Sequence, residues 1–161
     1  MGKTTAMSAG FQIYLADAPG SQEDWRRALA APESELPQLS PEKADLVKRF
    51  GSSEADYARG VLVVEYRKQR VRPIAEKLGR TAARVLGEIN ERYKLVAVLE
   101  RVHPGKEEPV VSWWLRVQAP RFVREVQIPS KVVDSLAAGN GRGVAGDLKT
   151  ELLRSLEGSN R

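Results

Sequence analysis

The sequence predicts an α+β fold. A three-stranded antiparallel meander packs against a long central helix and C-terminal helices, with Phe11–Leu15 as a candidate fourth, N-terminal edge strand and an N-terminal helical hairpin. Three observations carry this. Residues 93–128 are rich in β-branched and aromatic side chains and are broken only by two proline-containing turns. Ile74, Leu78, Val85 and Ile89 recur at helical spacing just before them. Hydroxyl-led capping signatures punctuate the chain on the N-terminal side. At 161 residues the chain reads as a single domain: a helical part over 21–66, a helix–meander–helix core over 72–138, and a last helix over 147–157.

Residues 1–10 are small and polar. Ser21-Gln22-Glu23-Asp24 has the form of a capping box and opens a short helix through Trp25 and Leu29 to Ala31; residues 32–37 read as a linker. Ser40-Pro41 pairs an N-cap with proline at the first helical position, and Gly51 stops that helix after Leu46, Val47 and Phe50. Ser53-Glu54-Ala55-Asp56 opens a longer helix. Tyr57, Val61 and Val64 share one face of it, so 61–66 reads as helix although its composition also suits a strand. Pro73 is expected to bend or restart this helix.

The strands follow as Tyr93–Val102, a second that Pro109 starts and that runs Val110–Gln118, and Phe122–Ile128, separated by turns at 103–108 and 119–121. Alternation puts Val111, Trp113, Leu115 and Val117 on one face, the core face, and Ser112, Trp114, Arg116 and Gln118 on the other. Ser130 is expected to cap a helix through Val132, Val133 and Leu136. A glycine-rich loop over 139–146 follows, and Asp147 then caps a helix carrying Leu148, Leu152, Leu153 and Leu156.

Composition removes several kinds of chemistry. There is no cysteine, hence no disulfide framework and no cysteine zinc site, and one histidine cannot form a metal-binding cluster. No run approaches the ~18 apolar residues of a membrane span, and the N-terminus lacks a secretory pattern, so the chain reads as soluble and cytoplasmic. Gly2-Lys3-Thr4 has the letters ending a phosphate loop without the strand and glycine before them. Gly141 to Gly146 spells a dinucleotide fingerprint without its flanking strand. His103 lies beside Pro104-Gly105 at a strand end, the setting of a solvated turn residue rather than a catalytic base. The carboxylate pairs, such as Glu107 with Glu108, belong to exposed stretches. Catalytic, cofactor-binding and metal-ligating residues are therefore all expected to be absent, and a carboxylate-held divalent ion is the weakest of three functional readings.

Charge distribution points elsewhere. The net charge is +5, and residues 66–84 alone carry seven cations against the single carboxylate of Glu76. At about 100° per residue, Lys77, Arg80 and Arg84 fall together and away from Leu78, and Arg70 joins them if the helix is continuous. Such a stripe is commonly a solvated face. Its concentration, with Arg101, Arg116, Arg121 and Arg124 on the sheet, favours phosphate binding. Trp114, facing away from Trp113, is expected under a terminal helix. The sharper alternatives are a stacking platform for a base or an anchor for a protein partner.

The order helix, three antiparallel strands, helix over roughly 72–138 resembles the double-stranded RNA-binding domain. That family uses its first helix, its first hairpin turn and a lysine-rich start to its last helix. Ser130-Lys131 matches the last element, but Val132-Val133-Asp134 stands where more lysines belong. The expected function is thus a non-enzymatic nucleic-acid-binding protein. Arg70, Lys77, Arg80 and Arg84 contact phosphate, Lys131 and Arg142 assist, and Trp114 stacks. The alternative is a protein–protein adaptor or homo-oligomer subunit that uses the apolar 57–66 helix and Trp114, with the stripe meeting an acidic protein.

Overall fold

The structure, a computed structural model, describes residues 10–139 and 141–158; Gly2-Lys3-Thr4 and Asn140 lie outside the described residues, as does the side chain of Arg142. It is α+β, with a four-stranded mixed sheet and, among the described residues, five α-helices. The chain forms two compact units, one of Met1–Ala16 and Val71–Arg161, the other of Asp17–Arg70.

The first unit holds the sheet. Strands β1 (Gln12–Tyr14), β2 (Lys94–His103), β3 (Val110–Gln118) and β4 (Val123–Ile128) lie in the order β1-β2-β3-β4. The expected antiparallel meander is present as β2-β3-β4, but the sheet is larger and mixed, because β1 adds parallel to β2 with Ile13 opposite Val98. Burial selects this register: Phe11 and Ile13 are both 1% exposed. β2 therefore has a neighbour on each side, which accounts for its unbroken apolar run; Ala97, Val98 and Leu99 are all buried.

One sheet face is the core face. Val98, Trp113, Leu115, Val117, Val126 and Ile128 meet the Val71–Ile89 part of helix α3 (Glu54–Ile89), α4 (Ser130–Ala137) and α5 (Gly141–Leu156) there. Glu100, buried on this face, accepts the amide N–H of Ala16 at 3.0 Å and fixes the chain leaving β1.

Three local expectations are corrected. Pro73 does not restart α3, which is helical from Glu54 to Ile89. Proline costs about 3 kcal/mol inside a helix, but burial of Val71, Ala75 and Leu78 around it outweighs that, and Pro73 itself is exposed. The glycine stretch is not a loop, because α5 begins at Gly141 rather than at Asp147. Val144, Leu148, Leu152 and Leu156, four residues apart and all buried, hold it helical. Ser130 is the first residue of α4; the cap position is Pro129.

The second unit contains α1 (Gln22–Ala30), α2 (Pro41–Arg49) and the first half of α3. Its capping signatures form as read. The Ser21 and Asp24 side chains close a reciprocal box, Ser40 Oγ accepts the Lys43 amide at 3.2 Å, and Ser53 Oγ accepts that of Asp56 at 3.1 Å. Gly51, at φ +76°, ends α2 in a left-handed turn; its N–H reaches the Lys48 carbonyl while that of Ser52 reaches Val47. The 57–66 segment is helical, and its apolar side is this unit's own core, in which Leu62, Val63 and Tyr66 pack with Ala28 and Ala31. Tyr57, Val61 and Val64, the face expected to be apolar, are half-buried.

Asp24 is buried and receives the Arg70 guanidinium at 3.0 Å. Burial pushes its carboxyl up, but the hydrogen bonds from Arg70 and Ser21 outweigh this and hold it below the ordinary value of 3.8. A group whose pKa is lowered on folding adds stability above its unfolded pKa and loses it as pH falls through the folded one. The second unit is therefore expected to weaken below about pH 4. Asp24→Asn should flatten that part of the pH–stability curve, measured by urea denaturation. An unchanged acid limb would show that the pair does not set it.

Candidate nucleic-acid interface

Helix α3 sets the geometry of the basic stripe. From Val71 onward its buried positions, Val71, Ala75, Leu78, Ala82, Val85 and Leu86, face the sheet. Lys77, Arg80 and Arg84 lie at i, i+3 and i+7, within an arc of about 60° and over roughly 10 Å of helix. All three are exposed. None has an ion-pair partner among the described residues. Glu88, one turn beyond Arg84, lies 3.9 Å from Lys149 of α5, which brings a further lysine beside the end of the ridge.

Of the other four cations of the basic segment, Arg67, Lys68 and Arg70 are engaged within the fold and Arg72 is half-buried. Arg67 and Lys68 are buried, and Lys68 reaches Asp17 at 2.5 Å. Arg70 is in line by helical angle but donates to Asp24. Lys131 is exposed in the first turn of α4, and Arg142 belongs to the first turn of α5. Arg124 is on the core side of β4, where it donates to the Ser155 carbonyl at 2.9 Å and lies over the Phe122 ring. Its role is to tether α5.

Trp114 is not covered by a terminal helix, contrary to expectation. α4 and α5 occupy the Trp113 side, because the apolar residues of β3 and β4 there are Trp113, Leu115, Val117, Val126 and Ile128. Trp114 is half-buried on the opposite face. The ridge and Trp114 therefore lie on opposite sides of the sheet and do not form one site.

The Trp114 face holds a group of side chains that the sequence did not reveal. The Trp114 indole N–H donates to Ser112 Oγ at 2.9 Å, and Ser112 Oγ lies 2.8 Å from His103 Nε2. The Arg101 guanidinium lies 5.0 Å over the Trp114 ring. Glu125 receives Arg101 at 2.6 Å and Arg116 at 2.8 Å. The hydrogen bonds from Arg101 and Arg116 hold its carboxyl below the usual range against partial burial. Ser112, Trp114 and Arg116 were in phase by alternation alone. Glu125 joins them only through the β3–β4 register, in which it pairs with Arg116.

The second unit bears an apolar groove of about 340 Å³ lined by Lys43, Leu46, Val47, Phe50, Ser52 and Tyr57. Phe50 is 81% exposed beside it. Among the described residues no group of acidic and histidine side chains is placed to hold a metal, and no helix is long and apolar enough to cross a membrane.

No protein-family model matches the chain, and searches of curated proteins and of solved structures return no significant match.

Proposed function

We propose that the protein is a non-enzymatic nucleic-acid-binding protein whose α3 ridge contacts the phosphate backbone. The observation that carries this is the exposure of Lys77, Arg80 and Arg84 on one face of one helix, without acidic partners among the described residues and over a buried apolar underside. Cations that stabilise a fold are usually paired, as Lys68 and Arg70 are here. Three aligned cations left to water are available to neutralise phosphates, which supplies affinity without reading sequence. Arg70 is excluded from this set by Asp24, and Lys131 supplements it. The test is binding of a short nucleic-acid duplex by the wild type and by the Lys77→Glu/Arg80→Glu/Arg84→Glu variant. Loss of binding with an unchanged circular dichroism spectrum is expected; equal binding refutes the role.

A second reading, an adaptor or oligomer subunit, is favoured by one observation, the groove at Leu46 and Phe50. Large apolar side chains this open to water are typical of docking surfaces. It predicts a salt-resistant dimer by size exclusion with light scattering, reduced to monomer by Phe50→Ser. A wild-type monomer that binds duplex selects the first reading.

A further inference from the structure

We propose that the sheet face opposite α4 and α5 is a second surface, one that binds single-stranded RNA by stacking bases on Trp114 and Tyr14 and holding phosphate with Arg101 and Arg116. It rests on the nucleic-acid reading above but uses none of the ridge residues. Strand register aligns the two rings. Tyr14 is opposite Leu99, Leu99 is opposite Trp114, and Trp114 is opposite Gln127, so one row crosses all four strands. Two strand spacings put Tyr14 and Trp114 about 10 Å apart. Leu99 fills the floor between them and is buried.

The site is organised before any ligand arrives. Ser112 fixes the indole by its N–H, and Glu125 clamps both guanidinium groups beside it. The side chains remain accessible, with Arg101 and Arg116 each 35% and Glu125 30% exposed. Charge on this face suits an anion: Lys94, Arg101 and Arg116 stand against Glu125, the only carboxylate that the register places there. One carboxylate offsets one guanidinium and leaves the face cationic.

A duplex hides the flat faces of its bases, so rings in a shallow sheet can serve only unstacked ones. Ribose is favoured over deoxyribose because Gln118 and Gln127, exposed on the same face, supply donors and acceptors for a 2′-hydroxyl.

The probes are a fluorescein-labelled ten-nucleotide oligo(U), its deoxy counterpart and a sixteen-base-pair duplex, read by anisotropy. Trp114→Leu and Tyr14→Leu should each weaken oligo(U) binding about tenfold, within the usual range for one stacked base, and leave duplex binding unchanged. Trp114→Phe should retain most of the affinity. Arg116→Gln should weaken binding severalfold and serves if Trp114→Leu does not fold. The ridge triple reversal should lose the duplex yet keep Trp114-dependent binding of oligo(U). Unchanged oligo(U) affinity in folded Trp114→Leu overturns the sheet-face site. So does a wild type that binds duplex alone, with the ridge reading left standing. Binding of neither probe ends both, and equal affinity for the deoxy oligomer overturns the choice of RNA.

Discussion

Gly79→Ala is expected to destabilise the protein by about 1–3 kcal/mol, the usual cost of overpacking a filled core. A Cβ at Gly79 would lie 2.2 Å from Phe11 Cε2 and 2.3 Å from Cζ. The far end of a side chain ordinarily swings aside, but the Phe11 ring is fully buried in the same cluster as Leu78, Ala82 and Leu86. Relief therefore requires α3 to lift from the sheet or β1 to slide off β2. Gly87, on the same helix, is the internal control: nothing lies within 4 Å of its missing Cβ, and Gly87→Ala should stabilise by roughly 0.5–1 kcal/mol through helix propensity alone. Urea denaturation of both variants gives the comparison. Adding Phe11→Leu to Gly79→Ala should cost less than the two changes summed, since each concerns the same space. A neutral Gly79→Ala would mean that β1 is loosely held and that the short strand is not an integral part of the sheet.

That dependence explains which parts of the fold were legible in the sequence. The capping box at Ser21, the Ser53 hydroxyl cap and the meander were readable because their causes are local: a hydroxyl three residues before an amide, or alternation along one strand. β1 was weakly legible, since its three residues are held by Phe11 and Ile13 packing against elements far along the chain. The 141–146 glycines read as a loop because each costs a helix about 1 kcal/mol. Burial of Val144 and Leu148, at about 1.5–3 kcal/mol for each large side chain, reverses the sign, and burial is not a property of those six letters. Alternation along β3 put Trp113 on the core face, but it could not say whether a terminal helix would also cover Trp114; α4 and α5 both took the Trp113 side. Of the seven residues expected at a nucleic-acid site, helical angle alone correctly aligned Lys77, Arg80 and Arg84. It could not see that Arg70 meets Asp24, 46 residues earlier.

The largest expected effect on binding belongs to the ridge, and salt exposes it. Each phosphate neutralised on duplex releases counterions and adds about 0.9 to the slope of log affinity against log salt. Three contacts give a slope near −2.7, so the wild type should lose roughly 40-fold in duplex affinity between 50 and 200 mM salt. Lys77→Gln, Arg80→Gln and Arg84→Gln should each remove about one unit of that slope, and the triple variant should bind weakly and almost independently of salt. Neutral glutamine keeps helix propensity and tests charge rather than shape. Stability should hardly change, because all three side chains are exposed and unpaired among the described residues. An adventitious surface charge contributes in proportion to net charge wherever it lies. Hence Arg26→Gln, on exposed α1 of the other unit, is the control that should leave the slope intact. Equal slope losses at Arg26 and Arg80 would reduce the ridge to a diffuse electrostatic contribution and remove its claim to be a site.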